Sequence, residues 1–149
     1  MTLQLEYDRS FLGKEHKAGP FPVTSELIRE YCNAIGETNP LYIDQEAAKA
    51  AGYSGMLAPP AICAVFIRQV TIPEFKINFG KSRFHAGQMM ESLAPVVAGD
   101  SLHATSFLKE VYPKTGRTGT MVFMVWETDF TNQRGEKVAA VQESFVARE

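Results

Sequence analysis

The chain has 149 residues, 45% hydrophobic and 21% charged, with a formal net charge of −2. That length is one domain's worth with room for a real core, and the lack of any basic excess removes the electrostatic case for a nucleic-acid partner. The longest apolar run, residues 58–67, is too short to span a bilayer. The mixed, acid-containing segment 1–10 has no signal-peptide character, so a cytoplasmic protein with no membrane partner is expected.

Residues 1–20 carry little pattern and read as a lead-in suited to covering one side of the domain, with His16 and Lys17 expected in solvent. Phe21-Pro22-Val23 is extended, because Pro22 fixes its own φ and biases Phe21 towards β. A first helix is predicted over residues 24–35. Thr24 or Ser25 can cap it, and Glu26 suits its positive end. Leu27, Ile28, Tyr31, Ala34 and Ile35 fall on one helical face. Gly36 stands where a left-handed residue stops a helix. An irregular loop, 37–44, follows. Asp44 is a candidate N-cap for a short helix over residues 45–51, which Gly52 ends. Pro60 fits the first turn of a third helix, predicted over 60–71. Its stretch Ala61 to Val70 is apolar around nearly its whole circumference, the signature of a buried helix. Cys32 and Cys63 both fall on apolar helix faces without metal-site spacing, and read as buried thiols in a reducing compartment.

From Phe75 the pattern changes to strands. Strands are predicted over 88–96, 101–112, 121–130 and 137–147, with turns at 99–100, 113–119 and 132–135. Met121 to Trp126 is continuously apolar, as in a central strand covered on both faces. In the last strand Val138, Ala140 and Gln142 lie on one face, and Ala139, Val141 and Glu143 on the other. Helices first and antiparallel strands after give an α+β class, consistent with one sheet wrapped on one helix.

The segment Gly36-Glu37-Thr38-Asn39-Pro40-Leu41-Tyr42-Ile43-Asp44 is the most distinctive string in the chain. With the Ala-rich turn, Gly52-Tyr53 and the Pro59-Pro60 that opens the apolar helix, it resembles the MaoC-like hot-dog hydratases, in particular their amino-terminal, dehydratase-type branch. The resemblance runs from about Phe21 to Val146. It implies one hot-dog domain over 1–149, with 36–59 as an overhanging segment and 60–71 as the central helix. It implies reversible addition of water to a trans-2-enoyl thioester, carried on CoA or an acyl-carrier protein, with no cofactor and no metal. Hot dogs pair their sheets, so a homodimer, or a heterodimer with a catalytic hot dog, is also implied.

In active members an Asp and a His five residues apart serve as acid and base, and a backbone N–H of a Gly after a His stabilises the oxyanion. At the matching positions this chain has Glu37, Tyr42 and Pro59-Pro60. The extra methylene of Glu moves a carboxylate by roughly an ångström, which matters to positioned catalysis. A phenol, with an ordinary pKa of about 10, is a poor base near neutral pH. Pro60 has no N–H to offer, and losing one oxyanion donor typically costs roughly 100- to 1000-fold.

The departures resemble the substrate-binding subunits of heterodimeric hydroxyacyl-thioester dehydratases. On that likeness Asn39 holds the loop, and Met56, Pro59, Pro60, Ala61, Phe66, Met89 and Met90 are candidates to line an acyl tunnel. For the Met and Phe residues the plain alternative is core packing. His85, just before a strand, is either a cleft-facing acid or base in place of the lost dyad or a structural histidine. Four readings stay open at this point. They are a substrate-binding subunit of a hydro-lyase, an active homodimeric hydro-lyase using Glu37 with His85, a non-catalytic acyl-thioester binding module, and a thioesterase resting on Gln69 alone.

Overall fold

The computed structural model describes residues 3–149. Five strands form a single antiparallel sheet: β1 (His16–Pro22), β2 (Ser82–Ser92), β3 (Ser101–Gly116), β4 (Gly119–Thr131) and β5 (Lys137–Arg148), in the order β1-β3-β4-β5-β2. Four short helices fill the connection from β1 to β2: α1 (Ser25–Ile35), α2 (Pro40–Ile43), α3 (Gln45–Ala50) and α4 (Cys63–Ile67). The sheet curls around α4, the hot-dog arrangement of the α+β class. Among the described residues no helix is long and apolar enough to cross a membrane.

Curvature comes from irregularities in the ladders. Register shifts occur between Ala18 and Phe21, Leu108 and Glu110, His85 and Gly87, and Phe130 and Thr131. Each extra residue bends its strand and sharpens the twist. The side chains turned inward along β4 are Val122, Met124, Trp126, Thr128 and Phe130, all buried. Two apolar clusters share this one concave face. Under α4, Phe66 stacks on Phe21 at 5.6 Å and packs with Phe130, Ile62 and Val141. Beyond the end of α4, Leu108, Val122, Met124 and Trp126 are covered by the lead-in and by the linker from α4 to β2, through Tyr7, Phe11, Phe75 and Ile77. Tyr7 bridges Ile77, joining the two covering segments.

Several elements differ from the expectations. β1 reaches back to His16, because Gly19-Pro20-Phe21-Pro22 is tolerable only on a sheet edge, where a missing N–H costs no ladder bond. His16 is therefore half-buried rather than solvated; its ring lies 5.9 Å from that of Trp126, and its enclosed Nε2 has no hydrogen-bond partner. The loop 37–44 contains the one-turn helix α2, opened by Pro40 and capped by Asn39 Oδ1 accepting from Leu41 N at 3.1 Å. The central helix is α4, five residues rather than 60–71. Ile62, Cys63, Phe66 and Ile67 are buried, while Ala61, Arg68 and Gln69 are exposed.

β2 spans 82–92 rather than 88–96. After Ser92 the chain leaves the sheet, and Val96 O accepts from Ala58 N at 2.8 Å. The reversal expected over 113–119 is only two residues, Arg117 and Thr118, since β3 and β4 stay paired to Gly116 and Gly119. Pro113 is accommodated in β3 because β1 pairs β3 only as far as Ser106, leaving that stretch with one open side.

Between the two clusters sits a polar pair. Ser106 and Thr128 are 0% and 1% exposed, and their hydroxyls meet at 2.7 Å. A lone buried hydroxyl loses about 1–3 kcal/mol, whereas removing both partners is close to neutral. Ser106→Ala and Thr128→Val are each expected to destabilise by about 1–3 kcal/mol in urea unfolding. The double variant is expected to lose less than the two added together; simple additivity would show that the hydroxyls are satisfied independently.

Candidate functional site

The segment 36–60 is held by its own side chains. Gly36, at φ 72°, ends α1, and Glu37 N donates back to Cys32 O at 2.9 Å. The Glu37 carboxylate turns onto the loop itself, where Oε1 accepts from Thr38 N at 3.1 Å and Asn39 N at 3.0 Å. Asn39 caps α2, and Asp44 caps α3 by accepting from Glu46 N at 2.9 Å. Leu57 N donates to Leu41 O at 3.0 Å, which ties the return of the segment to its start.

A cavity of about 280 Å³ opens between this segment and the exit of β2. Tyr42, Tyr53, Leu57, Pro59, Pro60 and Cys63 line one side, and residues 92–96 with Val138 and Ala139 line the other. Pro59 is buried and Pro60 exposed. Ile62 N donates to Pro59 O at 2.9 Å, so the turn that opens α4 closes on itself. The titratable groups on the cavity wall are two phenols and one thiol; Glu37 is not on it.

Burial pushes the Cys63 thiol up to about 12. Cys32 is also raised, by burial first and then by the charge of Glu37, and its Sγ donates to Tyr42 O at 3.7 Å. The tunnel candidates separate. Met56 and Phe66 are core residues, 0% and 2% exposed, and Met90 packs against the same core. Met89 is 56% exposed on the edge strand, and Ala61 is exposed at the start of the helix turn.

His85 lies elsewhere. Its Nε2 is 3.0 Å from Glu143 Oε2, and its ring meets Phe145 edge-on at 5.2 Å. The two side chains are 45% and 15% exposed. They line a second cavity of about 350 Å³ with Ala64, Ile67, Arg68 and Gln88, at the carboxyl end of α4. On β5, Ala139 lines the first cavity and Glu143 the second, four residues or about 13 Å apart. The first cavity holds neither Glu37 nor His85, and the second holds His85 without Glu37. Glu143 was not singled out from the sequence, although one acid on the otherwise apolar Ala139–Val141 face of β5 was the available signal. His103 is exposed on β3.

Over residues 10–141 the chain matches the family model described as FAS1-like, dehydratase domain region. It is 31% identical over 147 residues to a UPF0336 protein of Saccharopolyspora erythraea, covering 95% of this chain and 91% of that one. It is 33% identical over 147 residues to a UPF0336 protein of Parafrankia sp., covering 95% and 94%. Two solved structures share the fold. The C-terminally truncated HadBC (3R-hydroxyacyl-ACP dehydratase) complex from Mycobacterium tuberculosis superposes with a TM-score of 0.70 at 24% identity, covering 92% of this chain and 97% of that one. The unliganded R-hydratase PhaJ1 from Pseudomonas aeruginosa gives 0.71 at 19%, covering 93% and 82%.

The thiolate is the reactive form of cysteine. Raising Cys63 from 9.0 to about 12 lowers its thiolate fraction at pH 8 by about a thousandfold. Because the folded state favours the protonated thiol, its contribution to stability is present below pH 9 and is lost as pH rises towards 12. Intact-mass measurement after iodoacetamide treatment at pH 8 is expected to show neither cysteine alkylated in the folded chain and both alkylated in urea. Rapid native labelling of Cys63 would contradict its enclosure.

Proposed function

The chain belongs to the FAS1-like dehydratase-region family of MaoC-like hot-dog proteins, and from that premise we propose that it is the substrate-binding subunit of an (R)-specific enoyl-thioester hydratase or 3-hydroxyacyl-thioester dehydratase. The observation that carries this reading is the state of Glu37. The one carboxylate at the family's dyad positions faces its own loop, where it accepts two backbone N–H bonds, and is absent from the wall of the adjacent cavity. That wall offers Tyr42 and Pro60 where an imidazole and an amide donor are needed for water addition and for the thioester oxyanion. The cavity suits binding better than catalysis.

The missing groups would come from a second hot dog. β2 is an edge strand with one unpaired side, and Phe84, Met89 and Leu93 on or beside it are 45%, 56% and 45% exposed. An open, apolar edge is a template for pairing with another chain. The similar HadBC structure is a complex of two subunits by its description, and the same organisation is proposed here. Asn39, Pro59, Pro60 and Tyr42 would then border an acyl thioester whose reacting carbons are served by the partner's dyad.

The purified chain alone is expected to leave crotonyl-CoA and a longer trans-2-enoyl-CoA unchanged by enoyl absorbance, and to gain turnover when mixed with a dyad-bearing hot dog. In that mixture Glu37→Gln, which keeps an acceptor oxygen for the loop, is expected to change activity less than twofold. Turnover by the chain alone, abolished in Glu37→Gln, would make Glu37 a base and defeat the subunit reading.

A further inference from the structure

The pair His85–Glu143 lies at the opposite end of α4 from the loop cavity, and its setting does not depend on how the loop is read. Two concavities meet at His85. One is the cavity of about 350 Å³ with Arg68, Gln88 and Glu143. The other is a groove of about 330 Å³ whose walls are mainly apolar, with Phe75, Phe84, Met124, Trp126 and Phe145 among them. Each volume falls at the lower end of small-ligand pockets, which run from about 300 to 1,000 Å³. The polar groups are confined to one end. Arg83 borders the groove, but its guanidinium donates to Phe79 O at 2.7 Å and Ile77 O at 3.0 Å and so anchors the linker to β2. The backbone N–H of Arg68 donates to Phe66 O, and its guanidinium has no hydrogen-bond or ion-pair partner among the described residues.

These placements define a head and a tail. Glu143 Oε2 is held by His85 Nε2 at 3.0 Å, and Arg68 is the cation of the head cavity. A planar guanidinium matches a carboxylate with two parallel donors. Gln88 adds an amide donor; His85, held by Glu143 through Nε2 and by the edge contact with Phe145, keeps Nδ1 free, which donates to a carboxylate when the ring carries both protons. The tail groove offers aromatic and methionine surface, which suits a flexible hydrocarbon chain.

We propose that the concavities meeting at His85 form a binding site for an amphipathic monocarboxylate of the medium-chain fatty-acid class, with its carboxylate on Arg68, Gln88 and His85 and its hydrocarbon chain along Trp126 and Phe145. Glu143 acts as a positioning residue that fixes the His85 ring.

Trp126 is the single tryptophan of the chain, so its fluorescence reports groove occupancy directly. The full-length protein is titrated with decanoate, decanol and butyrate, all below micelle-forming concentrations. Decanoate is expected to give a saturable change, decanol to bind at least tenfold more weakly, and butyrate to give none. Arg68→Ala, at an exposed position outside both apolar clusters, is expected to weaken decanoate about tenfold and leave decanol unaltered; His85→Ala is a second, independent probe of the head. Tyr53→Ala, in the loop cavity, is expected to leave the decanoate-induced change in Trp126 fluorescence unaltered. The proposal is overturned if decanoate gives no saturable change, if both head variants bind it as tightly as the wild-type chain, if decanol matches decanoate, or if Tyr53→Ala weakens it.

Discussion

The length of α4 is the constraint on which the rest depends. Five helical residues rise only about 7.5 Å, while β4, with thirteen residues, runs about 40 Å along the sheet it must line. The helix can therefore fill only part of the concave face. The remainder has to be covered by chain with little regular structure beyond one 3-10 turn, Arg9–Phe11. The lead-in, with Leu5, Tyr7 and Phe11, and the linker, with Ile72, Phe75 and Ile77, do this. Their backbones join at the Tyr7–Ile77 bridge, and Arg83 ties the linker to β2 through two carbonyl oxygens. A side chain can hold irregular backbone over a sheet in this way because a buried loop otherwise leaves carbonyls unpaired.

The join between the two coverings is where polar groups enter the interior. Ser106 meets Thr128 there, and Glu143 meets His85 on the neighbouring strands. In both cases a partner across the ladder satisfies the group, the condition under which burial is tolerable. The second pair differs from the first in lying beside solvent-accessible cavities. Two hollows at the ends of one short helix are thus a consequence of fold geometry. The loop covers one end and the linker passes the other, and neither fills its end completely. Their chemistry diverges because their walls come from different elements. Loop residues and the β2 exit make the first neutral, while α4's last turn and the β2–β5 pair make the second charged.

Much of this was legible from the residues. α1 was readable from its cap, its apolar stripe and Gly36; α3 from Asp44 and Gly52; β4 and β5 from their apolar density and the turn at 132–135. What failed has identifiable physical causes. β1 was hidden by Gly19, Pro20 and Pro22, which argue against a strand unless the edge position is known. The central helix was overextended because apolar continuity from Ala61 to Val70 does not reveal where the helical bonds stop. β2 was placed six residues late because an edge strand exposed on most of its length lacks the alternation that marks a half-buried one. Glu143 required knowing that the Ala139–Val141 face turns inward and that β2 lies beside β5 with Gln88 opposite it; no local pattern carries a cross-strand partner.

The loop shows that shape and reactivity are separable in this fold. Its backbone depends on Gly36 adopting a positive φ, on Asn39 and Asp44 accepting from the helices they open, and on main-chain bonds such as Tyr42 N to Asn39 O at 3.0 Å. None of these uses the side chain at position 42, and position 60 lies in the turn before α4, which is closed by Ile62 N donating to Pro59 O. Those positions can change from imidazole to phenol, or from an amide donor to proline, while the nine-residue segment keeps its course. Position 37 is different. Its carboxylate supports Thr38 and Asn39 directly, so an acid there has a structural reason to stay whether or not it ever meets a substrate. An acid at position 37 is thus weak evidence for catalysis, and the wall of the cavity beside it is the better guide.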